Sequence, residues 1–246
     1  MKGILANLVR EFRAYFFSPL AYIVAALVLL INGVVFWLIV SYLNDPRAAI
    51  GAPLQLFFGQ TFFFWLVIVF VAAVLTMRLL SEERRSGTIE VLMTAPVTEE
   101  QVVLGKYLAA LGFYIFLWMP TLAYPSVLAY YSEVDWGPVA AGYLGVFGVG
   151  ALFLSVGLLA SALTRSQLVA AILTFALLIP LFTFGLLENL FNDATVKQAF
   201  SYLNLWQHME EFSKGIVDTR HLVYYLSATV LFIFLSAKAL EAKKWR

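Results

Sequence analysis

Nine charged side chains crowd into one stretch between two long apolar runs: Arg78, Glu82, Glu83, Arg84, Arg85, Glu90, Glu99, Glu100 and Lys106, within RLLSEERRSGTIEVLMTAPVTEEQVVLGK (78–106). Their spacing matches no catalytic arrangement. The chain has no G-x-S-x-G elbow, no H-E-x-x-H pair, no intramembrane aspartate pair and no G-x-x-x-x-G-K-[ST] phosphate loop. With no cysteine, thiol catalysis, disulfides and thiolate metal sites are excluded. The two histidines, His208 and His221, lie 13 residues apart and read as satisfied surface residues rather than metal ligands. What remains for the charged stretch is contact with another surface, and the transmission of a push.

The stretch is built for that. Ser86 and Thr88 are candidate N-caps, Ile89, Leu92 and Met93 fall at i, i+3 and i+4, and Glu90 and Thr94 share the opposite face. Pro96 ends this short helix, because the residue before a proline is driven out of the α region. Thr98 and Gln101 then form a capping box that opens the next helix. A stiff crosswise helix joined to two membrane helices turns a push into rigid-body helix motion.

The rest of the chain is membrane. Of 246 residues 62% are hydrophobic and 13% charged, against about 45–50% and about 25% in a soluble domain. Intervals free of charge run from Arg13 to Asp45, Arg47 to Arg78, Lys106 to Glu133, Asp135 to Arg165, Arg165 to Glu188 and His221 to Lys238. With about 20 apolar residues needed to cross a bilayer, they predict an all-α polytopic protein with six transmembrane helices. These are placed at 20–43, 54–77, 107–130, 139–163, 167–187 and 222–240, in a single domain over 1–246. The last is short, and Lys238 extends it by snorkelling. The first apolar run is too long for a cleavable signal peptide. If the N-terminus is cytoplasmic, 12 of the 16 Lys and Arg residues fall on the inner side. By the positive-inside rule both termini and the 78–106 loop are therefore cytoplasmic.

Each flank has an assigned task. Residues 1–17 form an amphipathic interface helix, with Ile4, Leu5, Leu8, Val9, Phe12, Tyr15 and Phe16 on one face and Lys2, Arg10 and Arg13 on the other. Ser18-Pro19 starts the first span as N-cap and N1. Phe57, Phe58, Phe62, Phe63, Phe64 and Trp65 read as an interfacial aromatic belt. Pro120, Pro125 and Pro180 mark kinks or a gate. Gly142, Gly145, Gly148, Gly150 and Gly157 allow close backbone approach and make the fourth span central. The outer segment 188–221 carries an interrupted apolar stripe, predicting one or two short helices. No acid, base or histidine sits at mid-membrane, which argues against an ion-coupled carrier.

The run Glu-Glu-Arg-Arg-Ser-Gly-Thr-Ile-Glu-Val-Leu-Met-Thr-Ala-Pro-Val (82–97), followed by Leu-Gly-Lys-Tyr (104–107), resembles the coupling loop of ABC-2-type transporter permeases. Within that family the chain is most similar to gliding-motility-associated permeases, on Ser-Pro-Leu-Ala-Tyr-Ile (18–23) and Phe-Ser-Lys-Gly-Ile-Val-Asp-Thr-Arg (212–220). The resemblance implies a non-catalytic permease subunit, of exporter type, in a bacterial inner membrane. Two ABC ATPase subunits would bind ATP and Mg and drive it, so this chain needs no cofactor of its own. It further implies a second permease-type subunit, identical or related, and a companion protein with a large periplasmic domain. Membrane lipid is a partner; nucleic acid is not. Carried over, Glu82, Glu83, Arg84, Arg85, Gly87, Thr88, Glu90, Leu92, Thr94 and Pro96 form the coupling helix and its flanks. The competing reading is a membrane anchor and mechanical transducer for a periplasmic or motility assembly, with no translocated substrate. The motivation for it is the wide outer segment.

Overall fold

The computed structural model describes residues 2–44, 53–59, 61–87, 98–183 and 200–242. Among them the chain is helical, with no strand. In chain order the helices are α1 (Lys2–Phe16), α2 (Pro19–Leu43), α3 (Pro53–Phe57), α4 (Phe62–Thr76), α5 (Ser81–Arg85) and α6 (Glu99–Trp118). A 3₁₀ turn (Met119–Leu122) leads into α7 (Ala123–Tyr131), then α8 (Trp136–Leu163), α9 (Gln167–Thr183), α10 (Leu205–Ser213) and α11 (Thr219–Glu241).

Among the described residues five helical runs are long and apolar enough to cross a membrane: Pro19–Leu43, Phe62–Arg85, Glu99–Tyr131, Trp136–Leu163 and Thr219–Glu241. The sixth expected crossing, α9, is apolar but spans 17 described residues. At about 1.5 Å per residue that falls short of a bilayer core of about 30 Å. The remainder of 167–187 lies outside the described residues.

Helix α8 is the axis, packed by α4, α6, α9, α10 and α11. Its small residues are why. A Cβ on Gly150 would collide with the ring of Tyr114, and one on Gly157 with the hydroxyl of Thr76. Larger residues would hold α6 and α4 off, so the glycines set the packing distance. Tyr114 and Trp118 of α6, both fully buried, complete this core.

Three expectations change in three dimensions. The predicted span 54–77 is not one helix. Gly59 adopts φ 82, a left-handed turn that glycine takes without strain. Thr61 then caps α4 by accepting from Phe64 N. The aromatic belt is also mostly core: Phe57, Phe58, Phe64 and Trp65 are buried, while Phe62 and Phe63 are exposed. Trp65 packs on Phe182 and Trp206 and donates its indole N–H to Gly59 O at 2.9 Å. Here α9 and α10 cover what the sequence assigns to the interface. Finally, the apolar face of α1 divides. Tyr15 stacks on Phe113 and Phe16 packs on Phe113 and Phe116 of α6, whereas Leu5 and Val9 point outward.

The prolines behave differently from one another. Pro120 lies in the 3₁₀ turn and Pro125 in α7, so the third run switches helix type at this point. Pro180 sits inside α9, and Thr183 Oγ1 donates to the carbonyls of Ile179 and Pro180.

Candidate functional site

The corner between α4 and α5 is held by a serine from another helix. Ser161 Oγ of α8 accepts from Leu80 N at 3.0 Å and Ser81 N at 3.1 Å, and lies 3.3 Å from Met77 O as donor. The free N–H groups at the start of a helix need such an acceptor, and Leu80 cannot supply one from its own side chain. Ser81 Oγ turns back onto Met77 O. On the other side Arg78 donates to Ser18 Oγ at 3.0 Å and lies over the ring of Tyr15, 5.0 Å from its centroid. Tyr15 in turn donates to Leu75 O at 2.7 Å. The end of α4, the entry to α2 and the end of α1 are therefore tied together.

At the centre of the site stands Lys106 in α6, whose side chain is 2% exposed. Its ammonium lies 3.0 Å from Glu11 Oε1 of α1 and 2.9 Å from Glu83 Oε1 of α5. Arg10 closes the cluster on both carboxylates, at 2.8 Å from Glu11 and 3.1 Å from Glu83. Burial works to raise the Glu11 carboxyl, but the Lys106 ammonium and the Arg10 guanidinium outweigh it and hold the group below its usual value. A cavity of about 170 Å³ opens beside the cluster, lined by Glu11, Tyr15, Arg78, Glu82, Glu83 and Lys106. Gly105 permits the approach of α1, since a Cβ there would stand 2.8 Å from Asn7 Cβ and 3.1 Å from Ile4 O.

The expected contact residues divide. Glu83 belongs to the buried cluster, and Glu82 meets Gln167 Nε2 at the start of α9. Arg84 reaches Ala239 O, in the last turn of α11, at 3.5 Å. Arg85 is exposed. Gly87 has φ 72, the left-handed turn glycine takes without strain, and among the described residues a side chain there would meet nothing within 4 Å. Thr88, Glu90, Leu92, Thr94 and Pro96, and with them the expected crosswise helix, lie outside the described residues. Thr98 does accept from Gln101 N, at 3.3 Å.

Sequence reasoning missed Glu11, Lys106 as a buried ion, and Ser161. One signal pointed to the first: Glu11 is the only acid in the first 44 residues. A carboxylate on an otherwise apolar and basic helix needs a cation.

The histidines also fall elsewhere than expected. His208 and His221 are 3% and 9% exposed, and their rings meet edge to face with centroids 3.8 Å apart. They are not surface residues. Burial, then the neighbouring His221 ring, pushes the His208 imidazole down to about 3. No set of three metal-ligating side chains converges among the described residues.

A bundle of apolar helices around a glycine-lined axis, with a buried charge cluster where its second run ends and its third begins, defines a multi-pass membrane protein. A family model described as ABC-2 family transporter protein matches residues 11–244, and the chain belongs to that family. No curated protein matches it.

Proposed function

We propose that the chain is the permease subunit of an ABC transporter, and that partner ATPase subunits move it through α5 and the loop after it. Membership in the ABC-2 family supports the permease assignment and a pairing with ABC ATPases. The observation that carries the mechanical part is the Lys106–Glu83–Glu11 cluster, which ties the loop base to α6 and α1. A force applied to α5 reaches three elements at once: α6 through Lys106, α1 through Glu11 and Arg10, and α8 through Ser161. A buried ion pair resists separation because pulling it apart strands a charge in a poorly hydrated site. The cluster thus moves as one body, which is what alternating access asks of its levers.

In this reading two ATPase subunits bind ATP and Mg, this chain carries no catalysis, and a second permease-type subunit completes the pathway. With six crossings and both termini inside, the loop faces the cytoplasm of a bacterial cell, and export is the direction. A companion with a large periplasmic domain would meet the opposite face, and the gliding-motility likeness belongs to the same reading.

The test is ATP hydrolysis and substrate flux in the reconstituted complex with Lys106→Met. Hydrolysis that continues while flux falls supports the reading; unchanged coupling rejects it. A complex that shows no ATP-driven flux of any cargo favours the anchor reading instead.

A further inference from the structure

The face opposite the charge cluster holds a second polar cavity, about 190 Å³, between the segment before α10, α10 itself and the start of α11. Its polar lining includes Gln207, His208, Glu211, Asp218, Arg220 and His221, with Tyr202 and Tyr224 beside them. We propose that this cavity binds an alkylammonium or guanidinium group, using Glu211 and Asp218 as its counter-charges and the two imidazoles as hydrogen-bond partners. The inference concerns the opposite face and does not rest on the coupling reading above.

Glu211 is held in place for such a role. Ser201 Oγ bonds Gln207 Oε1 at 3.0 Å, and Gln207 Nε2 donates to Glu211 Oε1 at 3.2 Å. The second oxygen, Oε2, lies 3.1 Å from His221 Nε2 but out of line for a hydrogen bond. Nδ1 of His208 and Nδ1 of His221 are buried without a hydrogen-bond partner among the described residues. A neutral imidazole has one donor and one acceptor nitrogen, and leaving such atoms unmet in a buried site is costly. A cation rich in N–H groups meets the acceptors and balances the carboxylates, and the Tyr202 and Tyr224 rings offer it aromatic faces.

Other ligand classes fit less well. An anion would face two carboxylates, and the guanidinium among the described lining residues, Arg220, is 70% exposed. A metal ion lacks three converging ligands among the described residues. A purely apolar ligand would leave the imidazole nitrogens unmet.

The chain has two histidines, so ¹³C,¹⁵N-histidine labelling gives two imidazole signal sets that both report on this cavity. The purified chain in nanodiscs is titrated with n-butylammonium chloride, n-butanol and sodium phosphate. Saturable movement of both sets by butylammonium is expected, with none from butanol. Glu211→Gln should weaken it about tenfold, and Asp218→Asn should weaken it too. Glu210→Gln, on the exposed Lys214 pair, should leave it unchanged. No saturable shift, an equal response to butanol, a stronger response to phosphate, or full affinity in both Glu211→Gln and Asp218→Asn with unaltered starting spectra would overturn the proposal. Repeating the titration on the complete complex separates the sources. A cavity closed to butylammonium there holds a partner's Lys or Arg side chain, and one still open takes a diffusible amine.

Discussion

The Lys106 ammonium of α6 lies 2.9 Å from the Glu83 carboxylate of α5, and both meet Glu11 or Arg10 of α1. Charged residues 83 and 106, at the two ends of a long loop, are thereby closed on each other and on a helix near the N-terminus. The loop base is a clamp rather than a free strap.

Removing the clamp's cation should cost stability. Lys106→Met leaves the two carboxylates to share the half-exposed Arg10 alone, and breaking a fully buried pair costs about 3–5 kcal/mol. Here the carboxylates are 17% and 16% exposed, so we expect about 2–4 kcal/mol, read as a shift of the unfolding midpoint in mixed micelles. Adding Glu11→Gln should recover part of the loss, giving a coupling of about 0.5–3 kcal/mol in a double-mutant cycle. Additive losses would mean that the two groups do not act together.

The α8 glycines make a second prediction. Gly150→Ala and Gly157→Ala place a methyl into Tyr114 and Thr76, and overpacking costs about 1–3 kcal/mol. Among the described residues Gly33→Ala on α2 meets Tyr124 Oη alone, at an ordinary 3.6 Å, and should be near neutral. The same micelle unfolding assay ranks the three.

Acid should loosen the α10–α11 region before the rest. The folded His208 value, about 3, lies below the unfolded 6.5. Its contribution is therefore complete above pH 6.5 and declines as pH falls from there toward 3, by about 1.4 kcal/mol per pH unit. Hydrogen exchange of α10 should accelerate across this window, and His208→Phe should flatten the dependence. Glu11, also depressed, adds a loss at the other end of the molecule only as pH falls below its usual value of 4.5.

Topology can be tested without removing a native thiol, because the chain has no cysteine. Arg85→Cys and Lys214→Cys, each exposed, should label from opposite sides of intact cells, with Lys214→Cys reacting from outside. Labelling of both from one side would refute the six-span arrangement, and Arg85→Cys reacting from outside with Lys214→Cys protected would invert it.

Legible from the amino-acid order alone were the membrane class, the stretches that become α2, α6, α8 and α11, and the small-residue axis. These follow from local rules: unbroken apolar runs, caps such as Thr98 and Asp218, and glycine spacing along one helix. Which charges meet is settled by packing between distant helices. Lys106 and Glu11 are 95 residues apart, and no periodicity within either helix names the other. The same holds for Ser161 capping α5 from α8, and for the histidines, which come into contact because α10 folds back onto α8 and α11. The break at Gly59 was illegible for a related reason. A glycine in an apolar run reads as tolerated helix until Met209, arriving from α10, fills the space its side chain would need.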